Sequence, residues 1–165
     1  MSPTGGLAVT TPSDTEIVLT RAFAAARHLV FAALTTPDLL RRWHGARGWN
    51  LVECEIDLRV GGAWRFVSRG PDGSEMGQSG AYREIVPSER LVYTEVFDDQ
   101  SYPGETLITH ELVEHAATTT LTSTLRYPSR EARDRVLRYP MVRGVTDSYD
   151  RLAVVLHHLR NGGQL

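Results

Sequence analysis

The chain has 165 residues, enough for one domain with a sizeable buried core. Its 41% hydrophobic and 23% charged content is ordinary for a globular protein, and a formal net charge of -2 argues against a nucleic-acid or anionic-membrane binder, which would carry a basic patch. All 18 basic residues are arginine, which excludes Schiff-base and phosphate-loop lysine chemistry, while the single cysteine, Cys54, excludes an intrachain disulfide and a cysteine-based zinc site.

No run approaches the roughly 20 apolar residues of a membrane span, and the N-terminus has no charged-then-apolar signal pattern, so a cytoplasmic location is expected. Residues 1–14 are rich in Gly, Thr, Ser and Pro without periodicity, which predicts a flexible tail ahead of a single domain over 15–161. In 15–24, Ile17, Leu19 and Ala22/Phe23 roughly alternate with polar residues, as in a first strand. Residues 28–34 (HLVFAAL) are apolar and short, a buried helical turn or two. Thr36 can then cap a second short helix with Pro37 at its first position and Leu39, Leu40 and Trp43 on its buried side.

Beyond Gly48 the period becomes two. Val52, Cys54, Ile56 and Leu58 oppose Glu53, Glu55 and Asp57, a half-buried strand. Next come 63–68, the turn Pro71-Asp72-Gly73, and alternating segments at 76–85, 91–97, 106–113 and 118–127. Pro87-Ser88, Pro103-Gly104 and His115-Ala116 mark connections so short that consecutive strands must pair antiparallel. The last element starts at Ser129, with a break expected near Arg138-Tyr139 before Pro140. Met141, Val145, Tyr149, Leu152, Leu156 and Leu159 then recur at helical spacing until Asn161-Gly162-Gly163 ends the helix.

A sheet with one apolar face must be covered, and the terminal helix is the only element long enough. The expected fold is therefore α+β: a helix-grip (Bet v-like) body in which a curved antiparallel sheet of about seven strands wraps a long C-terminal helix, with two short helices after the first strand. Three stretches carry a family resemblance: 27–43 (RHLVFAALTTPDLLRRW), 57–66 (DLRVGGAWRF), and 80–87 (GAYREIVP) followed by Arg90-Leu91-Val92. With 129–159 they resemble the SRPBCC (START-like) superfamily, in the Aha-type branch named for the C-terminal domain of the heat-shock-protein ATPase activator. That resemblance implies an elongated cavity between sheet and helix. Relatives include lipid carriers, aromatic polyketide cyclases and hormone receptors, so it defines a fold more sharply than a function.

Strand parity proposes the cavity-facing side chains. Trp64 and Phe66 set the inner face, and Ile56, Tyr82, Tyr93, Ile108 and Leu121 join them, opposite Met141, Val145 and Tyr149 on the helix. Trp43 and Trp49 flank the glycine-bearing loop after the second short helix. They read either as a lip over the cavity or, for Trp43, as a staple of helix to sheet. Glu95 and His110 share the inner parity. If 98–104 closes a simple hairpin, Tyr93 lies near His110 and Glu95 near Ile108, making Glu95 and His110 diagonal neighbours and an acid–base pair. The alternative for His110 is a hydrogen-bonded core residue. Gly61-Gly62 reads as a turn, and no metal-ligand spacing is present.

Three functions fit. The leading one is cofactor-free binding of a small apolar or aromatic molecule between sheet and helix. The second is a cofactor-free cyclase, dehydratase or hydrolase using Glu95 and His110. The third is a chaperone-ATPase-stimulating interaction domain, suggested by the branch name. No nucleic acid, metal or membrane span is expected, and homodimerisation is compatible with all three.

Overall fold

Alternating segments joined by a few turn residues can pair only with their chain neighbours, and antiparallel. The computed structural model, which describes residues 6–99, 102–139 and 141–162, has this meander. In chain order the elements are β1 (Ala8–Thr10), β2 (Glu16–Phe23), α1 (Arg27–Thr35), α2 (Pro37–Trp43), β3 (Asn50–Ile56), β4 (Ala63–Arg69), β5 (Glu75–Val86), β6 (Arg90–Phe97), β7 (Thr106–His115), β8 (Thr118–Arg126), α3 (Arg130–Arg138) and α4 (Met141–Arg160). The sheet order is β1-β2-β8-β7-β6-β5-β4-β3. The helix pair α1–α2 carries the chain from β2 to the opposite edge, so the first long strand closes onto the last.

Several expectations are corrected by this arrangement. The sheet has eight strands because Ala8–Thr10, placed by composition in a flexible tail, pairs with Val18–Thr20 of β2. Residues 1–5, Pro140 and Gly163 lie outside the described residues. In β3 the clean alternation fails at its start: Leu51 is buried and Val52 is 43% exposed, because a bulge between Leu51 and Glu53 swaps the faces. Leu58 falls beyond the strand and is exposed as well. Thr36 separates the short helices with Pro37 at the first position, yet its side chain makes no capping bond. Ser129 does cap, its Oγ accepting from Ala132 N at 3.1 Å.

One glycine decides how closely two strands approach. Between the Ser79–Val96 and Tyr82–Tyr93 pairs, side chains take over from the β5–β6 ladder. Trp64 Nε1 donates to Thr94 O at 3.1 Å, and Ala81 N donates to Thr94 Oγ1 at 3.0 Å. A Cβ on Gly80 would stand 1.7 Å from Thr94 O and 2.7 Å from Trp64 Nε1. The Trp64 indole therefore crosses the sheet at this point because residue 80 has no side chain.

The hydrophobic interior divides in two. The larger cluster joins α1, α2 and the sheet to Tyr149, Leu152 and Leu156 of α4. The smaller gathers Ile17, Leu19, Tyr102, Tyr127 and Ala132, with Met141 and Val145 packed against it. Gly80→Ala should cost about 3 kcal/mol or more by overpacking, whereas Gly144→Ala should add ~0.5–1 kcal/mol, since its nearest neighbour is Ala46 Cβ at 3.5 Å. Urea denaturation checks both signs. The β7–β8 hairpin turns through Ala116 and Ala117 at φ 52 and 63, the left-handed region a type I′ turn demands and alanine resists. Replacing the pair with Asn-Gly should raise stability by about 1 kcal/mol in the same assay.

Candidate functional site

α4 buries Ser148, Tyr149, Leu152 and Leu156, all in its middle and C-terminal part. Val145 and Met141, one and two turns earlier, are only partly covered. Under those first turns lies a cavity of about 330 Å³, within the range of small-molecule sites. Trp64, Phe66, Tyr82, Tyr93, Glu95, Ile108 and His110 line its sheet side. Met141, Val145 and Tyr149 line its helix side, and Trp43 of α2 borders it as well. Those residues are brought together as strand parity and helical spacing suggested.

Ile56 and Leu121 do not line the cavity. Ile56 stands on the edge strand β3, opposite Trp64, and its side chain is not part of the wall. Leu121 is on the correct face but fully buried in the larger cluster with Leu152 and Leu156, where helix and sheet meet without a gap. Trp49 also turns away: its ring covers Gly70, where a Cβ would lie 2.8 Å from Cζ2. Trp43 is a wall of the cavity, and its Nε1 donates to Ala33 O at 3.0 Å, which ties α2 to α1 rather than to the sheet.

The loop after α2 is fastened to α4 through its backbone. Gly45 N donates to Ser148 Oγ at 3.0 Å and Arg47 N to Asp147 Oδ2 at 3.3 Å, while the Arg151 guanidinium donates to Gly45 O. His44 in this loop packs edge-on against Phe66 with ring centroids 5.2 Å apart. Burial, and then the nearby Arg151 charge, lower its pKa to about 4. Its Nδ1 has no hydrogen-bond partner among the described residues.

The expected Glu95–His110 pair does not form. Tyr93 lies opposite Ile108 and Glu95 opposite Thr106, so His110 sits four residues further along β7 than the position facing Glu95. The hairpin register differs by two residues from the simple closure assumed, which keeps both groups on one face but separates them. Each has other partners. His110 Nε2 is 2.9 Å from Tyr93 Oη and its Nδ1 is 2.7 Å from Ser123 Oγ. Both ring nitrogens are thus engaged, and burial lowers the His110 pKa to about 4. Glu95 Oε2 accepts from Gln78 Nε2 at 2.9 Å. Burial outweighs that bond and raises the Glu95 pKa to about 7.

Sequence reasoning missed Gln78, Ser123, Leu19, Tyr102 and Tyr127 in the lining. Leu19 and Ser123 were open to detection by strict period-two counting from Ile17 and Leu121. Arg21 was missed the same way: it follows Leu19 on the inner face, is 7% exposed, and reaches Asp150 of α4 at 2.7 Å. Among the described residues no group of three His, Cys, Asp or Glu could hold a metal ion. Cys54 is buried and its thiol is pushed up to about 11, so it stays protonated.

An antiparallel sheet gripping a terminal helix, with a hollow left between them, defines a helix-grip protein of the SRPBCC class. Within that class, the chain belongs to the family of Activator of Hsp90 ATPase homolog 1-like proteins, which it matches over residues 24–157. A Rhodobacter sphaeroides protein of known crystal structure is 35% identical, with a TM-score of 0.88 over 93% of this chain and 99% of that one. A Chromobacterium violaceum protein is 27% identical, with a TM-score of 0.76 over 87% and 98%. The AHSA1 protein of Silicibacter pomeroyi shares the fold at 24% identity and a TM-score of 0.70, over 86% and 97%. No curated protein matches the chain. No helix among the described residues is long and apolar enough to cross a membrane.

The titrating groups of the cavity wall give opposite pH trends. Glu95 has a folded pKa above its unfolded value, so its contribution to stability is present below pH 4.5 and is lost as pH rises through about 7. His44 and His110 fold neutral, so their contribution is present above pH 6.5 and is lost as pH falls toward about 4. Glu95→Gln should therefore be more stable than wild type at pH 8, by about 1–2 kcal/mol or roughly 3–6 °C in Tm, and should converge with it toward pH 4. Differential scanning calorimetry across that range checks the sign.

Proposed function

We propose that this protein binds a small apolar or aromatic molecule in the space between the sheet and the first turns of α4. The observation that carries the reading is the cavity itself. About 330 Å³ is bordered by aromatic rings on the sheet side and by medium-sized side chains on the helix side. The hollow is partly open to solvent, so a resident ligand would take its apolar walls out of contact with water, a favourable burial. Apolar walls with a few fixed polar groups are the usual form of such sites.

Binding is favoured over turnover by the paired residues considered from sequence. Glu95 and His110 face different partners, and both His110 nitrogens are already bonded within the protein. Stimulation of a chaperone ATPase, which the family description brings to mind, calls for an outer surface rather than a hollow interior.

Native mass spectrometry of freshly purified protein should reveal a retained small molecule. Val145→Phe, which fills the space from the helix side, should weaken binding of the neutral fluorescent probe N-phenyl-1-naphthylamine by at least about tenfold while Tm moves by only a few degrees. A folded Val145→Phe protein with wild-type probe affinity would count against the cavity as the binding site.

A further inference from the structure

We propose that the cavity selects ligands that carry a positive charge: an apolar or aromatic amine whose ammonium group pairs with Glu95. This rests on the ligand-binding reading above and adds the chemistry of the ligand's polar end.

The charge inventory of the walls carries the inference. Among the described residues, Glu95 is the single acidic side chain lining the cavity, and no arginine lines it. Lysine is absent from the whole chain. The two lining histidines, His44 and His110, are neutral at physiological pH because burial holds both near 4. Glu95 is held by the neutral amide of Gln78, with no salt bridge to it among the described residues. Arginines that pair with carboxylates do so elsewhere: Arg65 with Asp98, Arg83 with Glu105, Arg90 with Glu84 and Glu111.

A carboxylate facing an apolar space without a cation is costly, and the cost is removed when the missing cation arrives. The surroundings favour a cation in a second way. Tyr93, Tyr102 and Tyr127 are close enough for the Glu95 charge to contribute to the rise in all three phenol pKa values. Trp64 packs edge-on against Tyr93 at 5.4 Å between centroids. Aromatic rings around a carboxylate offer π-faces and a counter-charge together, the combination that holds organic ammonium ions. A ligand carboxylate in the same place would meet a like charge and find no positive partner in the walls. Fatty acids and aryl acids are therefore disfavoured, although the apolar walls would suit their bodies.

The test uses three probes with the same bicyclic body: 2-(1-naphthyl)ethylamine, 2-(1-naphthyl)ethanol and 1-naphthylacetate, titrated calorimetrically at pH 8 into the full-length protein. The amine should bind about tenfold or more tightly than the alcohol, and the acid should bind most weakly. In Glu95→Gln the advantage of amine over alcohol should fall to within about threefold. An acid that binds as well as the amine, or an amine-to-alcohol ratio unchanged in Glu95→Gln, would overturn this inference and leave the binding reading intact. The wild-type ranking decides the matter even without the variant. Failure of all three probes to bind, with no retained molecule in the native mass spectrum, would overturn the binding reading and this inference with it.

Discussion

The inner face of an eight-stranded curved sheet is broader than one helix can cover, and the rest of the molecule follows from that mismatch. α4 seals the sheet where Leu152 and Leu156 enter the larger apolar cluster. Toward its N-terminus the stripe thins to Met141, Gly144 and Val145, and the sheet opposite carries wide rings that stop one another from collapsing inward. Trp64 is central to this. Its indole is fixed by Thr94 O and runs over Gly80, so the ring cannot fold back to fill the hollow. The void is thus supported by hydrogen bonds and ring contacts around its edge rather than by loose packing.

Polar atoms inside the shell are satisfied to different degrees, and the differences separate scaffold from site. Arg21 ties β2 to Asp150 and lies 5.3 Å over the Phe23 ring, a strap between sheet and helix. His110 bridges Tyr93 and Ser123 across three adjacent strands, which fixes the floor of the cavity in one arrangement. Glu95 is different. Among the described residues it has a single neutral partner in Gln78, and its proton affinity is raised by its surroundings. A carboxylate left in that condition on the wall of a hollow is where ligand chemistry is most readily expressed.

Membership of the family fixes the frame without fixing the ligand. Relatives with the same fold at 21–35% identity can keep the sheet, the grip and the terminal helix while exchanging the few side chains that meet the contents. In this chain those side chains include His44, His110 and the Gln78–Glu95 pair, which set its hollow apart from a purely apolar one.

Local pattern was enough to read most of the elements from the sequence: period two for the strands, period 3.6 for α4, and Gly, Pro and Asn at the turns. Such signals are carried by neighbours along the chain and survive without knowledge of the fold. The inner positions of Trp64, Phe66, Tyr82 and Tyr93 were legible for the same reason. What depended on distant partners was not. The bulge at Leu51–Glu53 turned Val52 outward, and the long connection before Thr106 set a register that parted Glu95 from His110. Ile56 and Leu121 had the right parity, yet only tertiary packing decided that the first stands on the edge strand outside the hollow and that the second is buried in the cluster with Leu152 and Leu156. Alternation says which face a side chain takes; how far the helix stands from that face is settled by contacts between residues remote in sequence.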